Sequence, residues 1–211
     1  APNAMGGNLW PKNVYAGYYG ITYLRDAVER SVNACAVNLY NQLDPMDCIA
    51  NLENMGVTSI VKSGEINDVN AAALALGGMT KGISPLQMAS AYSTFGNYGV
   101  HIETTCYTTV TNRKGEIVLN KVPKQTQVLD ESVASLMLDI LRTTVSNGAA
   151  SAAALKSQIA AGKTGTTSDQ FDIWFCGLTP KYSASTWVGC DINISLGSGS
   201  SKASKVWKTV M

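Results

Sequence analysis

The chain has 211 residues, 45% hydrophobic and 15% charged, with a formal net charge of +1. That length supports one domain with a real core, and the balance excludes a disordered charged tail or a polyanion-binding surface, so no nucleic-acid partner is expected. No apolar run approaches the ~20 residues that cross a bilayer, and no charged segment leads into an apolar one as in a secretion signal.

The opening Ala1-Pro2-Asn3-Ala4, without a start methionine, reads as a processed or cut end, and residues 1–20 as an irregular lead-in. Thr22 can cap a helix over Tyr23–Arg30 that places Leu24, Ala27 and Val28 on one face. Ser31-Val32-Asn33 interrupts, and helical character resumes from Ala34 to Leu43, with a short helix expected at Asp47–Met55. Ser84-Pro85-Leu86-Gln87 is a start signal: a serine cap, a proline at the first helical position and a glutamine to close a capping box. Leu86, Ala89, Tyr92 and Phe95 follow at helical spacing until Gly96-Asn97 ends the run. Cys106–Val110 and Glu116–Leu119 flank the turn Asn112-Arg113-Lys114-Gly115 and predict a hairpin. After Asp130 as a cap, Val133, Leu136, Met137, Ile140 and Leu141 form a helical stripe. Three strands are predicted over Ile159–Thr166, Ile173–Thr179 and Tyr182–Asp191, the last two joined by a turn short enough to force antiparallel pairing. Gly197–Ser201 reads as a flexible tether to a helix over Ala203–Met211. The expected architecture is mixed α and β (α+β), an antiparallel sheet covered by helices.

Five cysteines leave at least one unpaired, none lies in a CxxC, and His101 is the single histidine. A zinc site built on histidine is therefore not expected, and no cofactor is required. The cysteines read as small packed hydrophobes, with Cys176 and Cys190 able to face each other across neighbouring strands. His101 reads as a solvent-exposed loop residue. Trp174 and Trp187 read as core and strand-packing residues. Tyr15, Tyr18 and Tyr19 fit either a cleft lining or a surface-loop cluster, and Asp169 and Asp172 read as shaping a loop.

Two places carry chemistry. Ser31 and Asn33 stand two positions apart at a break between helices, where a hydroxyl can relay a proton and an amide can hold a base and a substrate amide. A Ser31 cap on the second helix is the competing reading. Lys163-Thr164-Gly165-Thr166 puts a cation and two hydroxyls on a strand, able to offer charge, donors and free backbone N–H groups to an extended ligand. An exposed strand end is the alternative there. The string Ser59-Ile60-Val61-Lys62 reads as a strand or turn pair in a linker.

The pattern around these residues resembles the transpeptidase domain of class A, bifunctional penicillin-binding proteins. The resemblance runs through Trp10-Pro11-Lys12-Asn13, Thr22 to Asn33, Ala73 to Gly78, Gly82 to Tyr92, Gly115 and Val118, Ala161 to Pro180, and Trp187 to Asp191. It implies the fold shared with serine β-lactamases. Ser31 and Asn33 match the family's second motif, and Lys163, Thr164, Gly165 and Thr166 its third, with Thr167 beside it. The resemblance gives Lys163 the electrostatics that activate the nucleophile. The hydroxyl positions would receive the terminal carboxylate of a stem peptide or a β-lactam, and the Thr166 N–H would form half of an oxyanion hole. The implied activity is D,D-transpeptidation in peptidoglycan cross-linking through an acyl-serine. Departing from the pattern, no serine occurs in residues 1–30, where the family's S-x-x-K would precede Ser31. The chain is thus expected to be a partial transpeptidase domain. Its nucleophile, on an upstream fragment of the same protein, its glycosyltransferase domain and its anchor to the extracytoplasmic face of the bacterial membrane are expected elsewhere. A non-catalytic peptide- or β-lactam-binding module, and a D,D-carboxypeptidase or β-lactamase relative, remain as alternatives.

Overall fold

A computed structural model describes residues 3–5, 8–197, 199 and 201–211. Ala1 and Pro2 of the expected cut end, and Ser198 and Ser200 of the expected tether, lie outside the described residues. The chain opens on β1 (Asn3–Met5) and β2 (Asn8–Trp10), paired antiparallel with Asn3 opposite Trp10. This corrects the irregular lead-in: strands of three residues are too short to show a period in sequence.

Four helices follow: α1 (Leu24–Glu29), α2 (Asn33–Tyr40), α3 (Pro45–Asn54) and α4 (Ala71–Leu74). Thr22 does not cap α1; its hydroxyl donates to Gly20 O at 3.1 Å, and Tyr23 holds the cap position with no side-chain bond. α3 starts earlier than predicted because Asp44 accepts the Met46 N–H at 2.7 Å and Pro45 suits the first turn. Between α3 and α4, Ser59 donates to Gly82 O at 2.6 Å and Lys62 pairs with Glu53 at 2.6 Å, so both polar ends of the S-x-x-K string hold the loop.

The capping box forms as predicted at α5 (Pro85–Gly96): Gln87 N–H donates to Ser84 Oγ at 3.2 Å, and the Gln87 side chain accepts from Ser84 N–H. β3 (Val100–Ile102) pairs with β6 (Gln125–Gln127), enclosing the expected hairpin of β4 (Thr109–Thr111) and β5 (Ile117–Asn120). His101 is no loop residue. It lies on β3 at 8% exposure, with Nε2 2.9 Å from Ser90 Oγ, and its ring occupies the space that a Cβ on Gly56 would need.

α6 (Glu131–Ser146) and a short 3-10 turn (Ser151–Ala153) lead to β7 (Ala161–Thr166), β8 (Ile173–Leu178), β9 (Ser183–Val188) and α7 (Ser201–Val210). The last three strands form one antiparallel sheet in the order β7-β8-β9, with Lys163 opposite Cys176 and Cys176 opposite Ser185. Strand alternation gives the sheet two covered faces. Ala161 and Leu178 pack with Leu141, Val28, Tyr92 and Phe95 of α6, α1 and α5. Ile173 and Phe175 pack on the other face with Ala203 and Trp207 of α7. Phe175, with no exposed surface, contributes about 1.5–3 kcal/mol by its burial.

Further expectations are corrected or narrowed. On α6 the buried residues are Ala134, Leu141, Thr144 and Val145, while Val133 and Leu136 face outward. Asp130 stands at the cap position without a side-chain bond. All five cysteines are free; Cys176 is buried, but Cys106 and Cys190 are exposed rather than packed, and Cys176 meets Ser185 Oγ at 3.2 Å instead of Cys190. Trp174 and Trp187 pack on each other across β8 and β9 as expected, with ring centroids 6.4 Å apart, although Trp187 is exposed rather than in the core. Among the described residues no helix is long and apolar enough to cross a membrane.

Candidate active site

Ser31 is placed by a deliberate break in the helix. Its φ of 55° lies in the left-handed region, unusual for a residue with a side chain, and ends α1 while α2 has yet to begin. Val32 N–H returns to Ala27 O at 2.8 Å, which locks the turn. α1 in turn is tied to α6. Arg25 bridges Asp139 at 2.6 Å and donates to its carbonyl, and Ala149 N–H donates to Glu29 O at 3.3 Å. A side chain at Gly148 would stand 2.6 Å from Glu29 Cγ, so this approach requires glycine.

α6 also grips the strand. The buried Thr144 hydroxyl reaches both Leu141 O and Gly162 O. Gly162 O is accessible because of strand parity. Thr167 N–H bonds to Asp172 O, so the odd residues of β7 pair with β8, and the N–H and C=O groups of Gly162, Thr164 and Thr166 point to the opposite edge. No strand among the described residues covers that edge. The Thr166 N–H therefore lies in line with two carbonyls already used from that side.

Lys163 brings the two places together. Its Nζ donates to Ser31 Oγ at 2.8 Å and to Thr164 O at 3.1 Å, across 132 residues of sequence. Burial disfavours its ammonium and pulls the pKa down to about 8. At neutral pH it is mostly charged; once neutral, its lone pair can accept the Ser31 proton, so the bond can reverse direction.

The other residues are arranged differently. Asn33 bonds to neither Ser31 nor Lys163; its Nδ2 donates to Lys12 O at 2.8 Å. Thr164 and Gly165 are half-buried and Thr166 is exposed on β7. The Thr167 hydroxyl accepts from Asp172 N–H at 3.0 Å, and Asp172 accepts from Trp187 Nε1 at 2.9 Å, so Asp172 shapes the loop after the strand as expected. Gly165 is not required by local geometry. Its φ is not positive, and an added Cβ would meet Trp174 Cβ at an ordinary 3.5 Å. A glycine without a structural need at an open edge suits the close approach of another backbone. Tyr15 and Tyr19 stack at 4.5 Å in the loop before α1, and Tyr18 donates to Pro11 O, which makes them a loop cluster beside Asn33's partner. Sequence reading missed Thr144 and the contact of Lys12 with Asn33; nothing local marks the first, while the second lies within the Trp10–Asn13 run.

Comparison with known proteins gives the family of the chain. The model of the penicillin binding protein transpeptidase domain matches residues 5–211. Penicillin-binding protein 1A of Clostridium botulinum is 37% identical over 203 residues, which is 95% of this chain and 24% of that protein. The chain thus spans about a quarter of the length of such curated relatives. The penicillin-binding protein PonA1 of Mycobacterium tuberculosis superposes with a TM-score of 0.82 at 21% identity, over all of this chain and 60% of that one. The same protein in complex with penicillin V gives 0.78 at 19% identity, over 99% of this chain and 61% of that one. With the match extending over nearly the whole sequence, the chain belongs to the penicillin-binding protein transpeptidase domain family.

Proposed function

We propose that the chain forms part of the catalytic site of a D,D-transpeptidase that cross-links peptidoglycan. The observation that carries this reading is the 2.8 Å contact of Lys163 Nζ with Ser31 Oγ beside the uncovered edge of β7. An attacking serine supplied by a segment outside residues 1–211 adds to the carbonyl of the penultimate D-Ala. The terminal D-Ala leaves with a proton, and the acyl group passes to an amine of a neighbouring stem peptide. Ser31 relays the proton, and Lys163 supplies charge before the transfer and a lone pair during it. Asn33 holds the substrate amide. The hydroxyls of Thr164, Thr166 and Thr167 receive the terminal carboxylate, Gly165 allows the peptide to lie close, and the Thr166 N–H faces the developing oxyanion. One such donor contributes ~3–4 kcal/mol to the transition state.

On this reading residues 1–211 are a partial transpeptidase domain. The upstream segment with the nucleophile is its partner, and any glycosyltransferase domain and membrane anchor belong to the rest of the protein, which works on the extracytoplasmic side. β-Lactams occupy the same cleft; the PonA1 complex with penicillin V is a relative of the same fold that holds one. The test is labelling of the longer protein with a fluorescent penicillin. Wild type forms a covalent adduct, and Lys163→Ala lowers its rate by at least about a hundredfold. Labelling of Lys163→Ala at the wild-type rate overturns the role given to the lysine. No labelling of folded wild type favours a non-catalytic binding module instead.

A further inference from the structure

Asn33 depends on a part of the chain that the reaction does not use. Its Nδ2 donates to Lys12 O at 2.8 Å. A backbone carbonyl can only accept, so this contact fixes which end of the amide is which and turns Oδ1 away from the loop. The position of Lys12 O then decides the orientation of Asn33. That carbonyl sits in the 11–18 loop, where Tyr18 OH donates to Pro11 O at 2.9 Å and Asn13 Nδ2 donates to Gly17 O at 3.1 Å.

The same Asn13 amide has a second grip. Its Oδ1 accepts the Ala34 N–H at 3.2 Å, 21 residues ahead. Ala34 is in the first turn of α2, where N–H groups have no partner within the helix. The residue at the cap position, Val32, makes no side-chain cap bond and has no polar group with which to make one. Asn13 therefore caps α2 from outside and, with its other end, closes the loop that carries Lys12 O. The two contacts with α2, at Asn33 and Ala34, come from adjacent loop residues and reach adjacent helix residues.

We propose that Asn13 is a positioning residue for transpeptidation: a cap supplied from outside the helix that holds the Asn33 amide in one orientation. This rests on the function proposed above. Without Asn13 the loop loses its tie to α2, Lys12 O is no longer held, and the Asn33 amide can turn over. A turned amide presents N–H groups where Oδ1 should accept. Those N–H groups then confront another donor, the substrate N–H that the proposed function gives Asn33 to hold.

The test uses the longer protein that contains this chain with its acylating serine, labelled with fluorescent penicillin. Asn13→Ala lowers the second-order acylation rate constant by about tenfold while the labelled fraction at completion stays unchanged. Asn13→Asp keeps an acceptor for Ala34 N–H, favoured by the helix N-terminus, and recovers to within about threefold of wild type. A wild-type rate constant in Asn13→Ala overturns the proposal. So does a loss confined to the labelled fraction, which is the mark of misfolding. Lys163→Ala in the same assay reports separately on the underlying function. Should wild type not label at all, the 211-residue chain still decides. Its Asn33 side-chain amide protons, identified in a 15N spectrum by their loss in Asn33→Ala, exchange slowly in wild type and rapidly in Asn13→Ala. Equal exchange in both overturns the positioning role without any reference to catalysis.

Discussion

At the scale of single residues, Lys163 is placed where its charge is costly. An unfolded lysine titrates near 10.5, whereas burial brings Lys163 to about 8. Between those values the unfolded chain binds the additional proton, so stability rises with pH across that window; below about 8 both states are charged and the slope vanishes. The shift is therefore a standing cost at neutral pH. It is tolerated because Ser31 Oγ and Thr164 O accept from the ammonium at 2.8 and 3.1 Å. The chemical return is a lysine that moves between donor and acceptor near physiological pH, which an exposed lysine cannot do. We expect Lys163 to titrate with a midpoint near 8 by 13C NMR of labelled lysines, assigned by its loss in Lys163→Met. In the same variant the gain in stability between pH 8 and 10.5 becomes smaller. A midpoint at or above 10 means that burial does not perturb the group, and the proton relay then loses its basis.

At the scale of elements, the glycines of the central sheet divide into two kinds by their reason to be glycine. Gly162 and Gly177 are paired across β7 and β8. A Cβ on Gly177 would stand 2.5 Å from Phe175 Cε1 and 3.0 Å from Trp207 Cζ2, and one on Gly162 would stand 2.6 Å from Phe175 Cζ. Their bare backbones make a slot for the Phe175 ring, which meets Trp207 edge-on at 5.0 Å. Gly165, three residues along β7, is under no such pressure. Gly177→Ala should lower stability by about 1–3 kcal/mol by overpacking, read from the urea midpoint. Gly165→Ala should stay within about 0.5 kcal/mol of wild type yet slow penicillin acylation of the longer protein. The reverse pattern would exclude close ligand approach as the reason for Gly165. Helix α6 shows where sequence pattern stops. Its period was legible, but its phase was not. The stripe of large apolar residues starts at Val133, whereas the buried face starts at Ala134 and includes Thr144. α6 approaches β7 closely enough for Thr144 to bond Gly162 O, and such proximity selects small and hydroxyl side chains that a count of apolar residues ignores.

At the scale of the molecule, Ser31 and Lys163 stood out as chemistry-bearing positions, and the antiparallel meander was legible because local turns encode it. The closure of Ser31 on Lys163 was not, since it depends on α1, α6 and β7 meeting through Arg25–Asp139, Ala149–Glu29 and Thr144–Gly162. The small strands β1, β2, β3 and β6 were missed for want of length, and with β3 the burial of His101. The cysteines offer a test of this arrangement as a whole. Cys176 lies on the sheet face covered by α5 and α6, and burial pushes its thiol up to about 11. Cys106 and Cys190 are on the surface, outside regular elements. Because only the thiolate reacts, both burial and a raised pKa protect Cys176. Iodoacetamide at pH 8 should therefore modify Cys106 and Cys190 first, and Cys176 only after denaturant opens the layer between sheet and helices. Peptide mapping by mass spectrometry follows each site separately. Modification of Cys176 at the pace of the surface thiols in the folded protein would mean that α5 and α6 do not seal that face, and the half-buried setting of Lys163 on the same face would be lost with it.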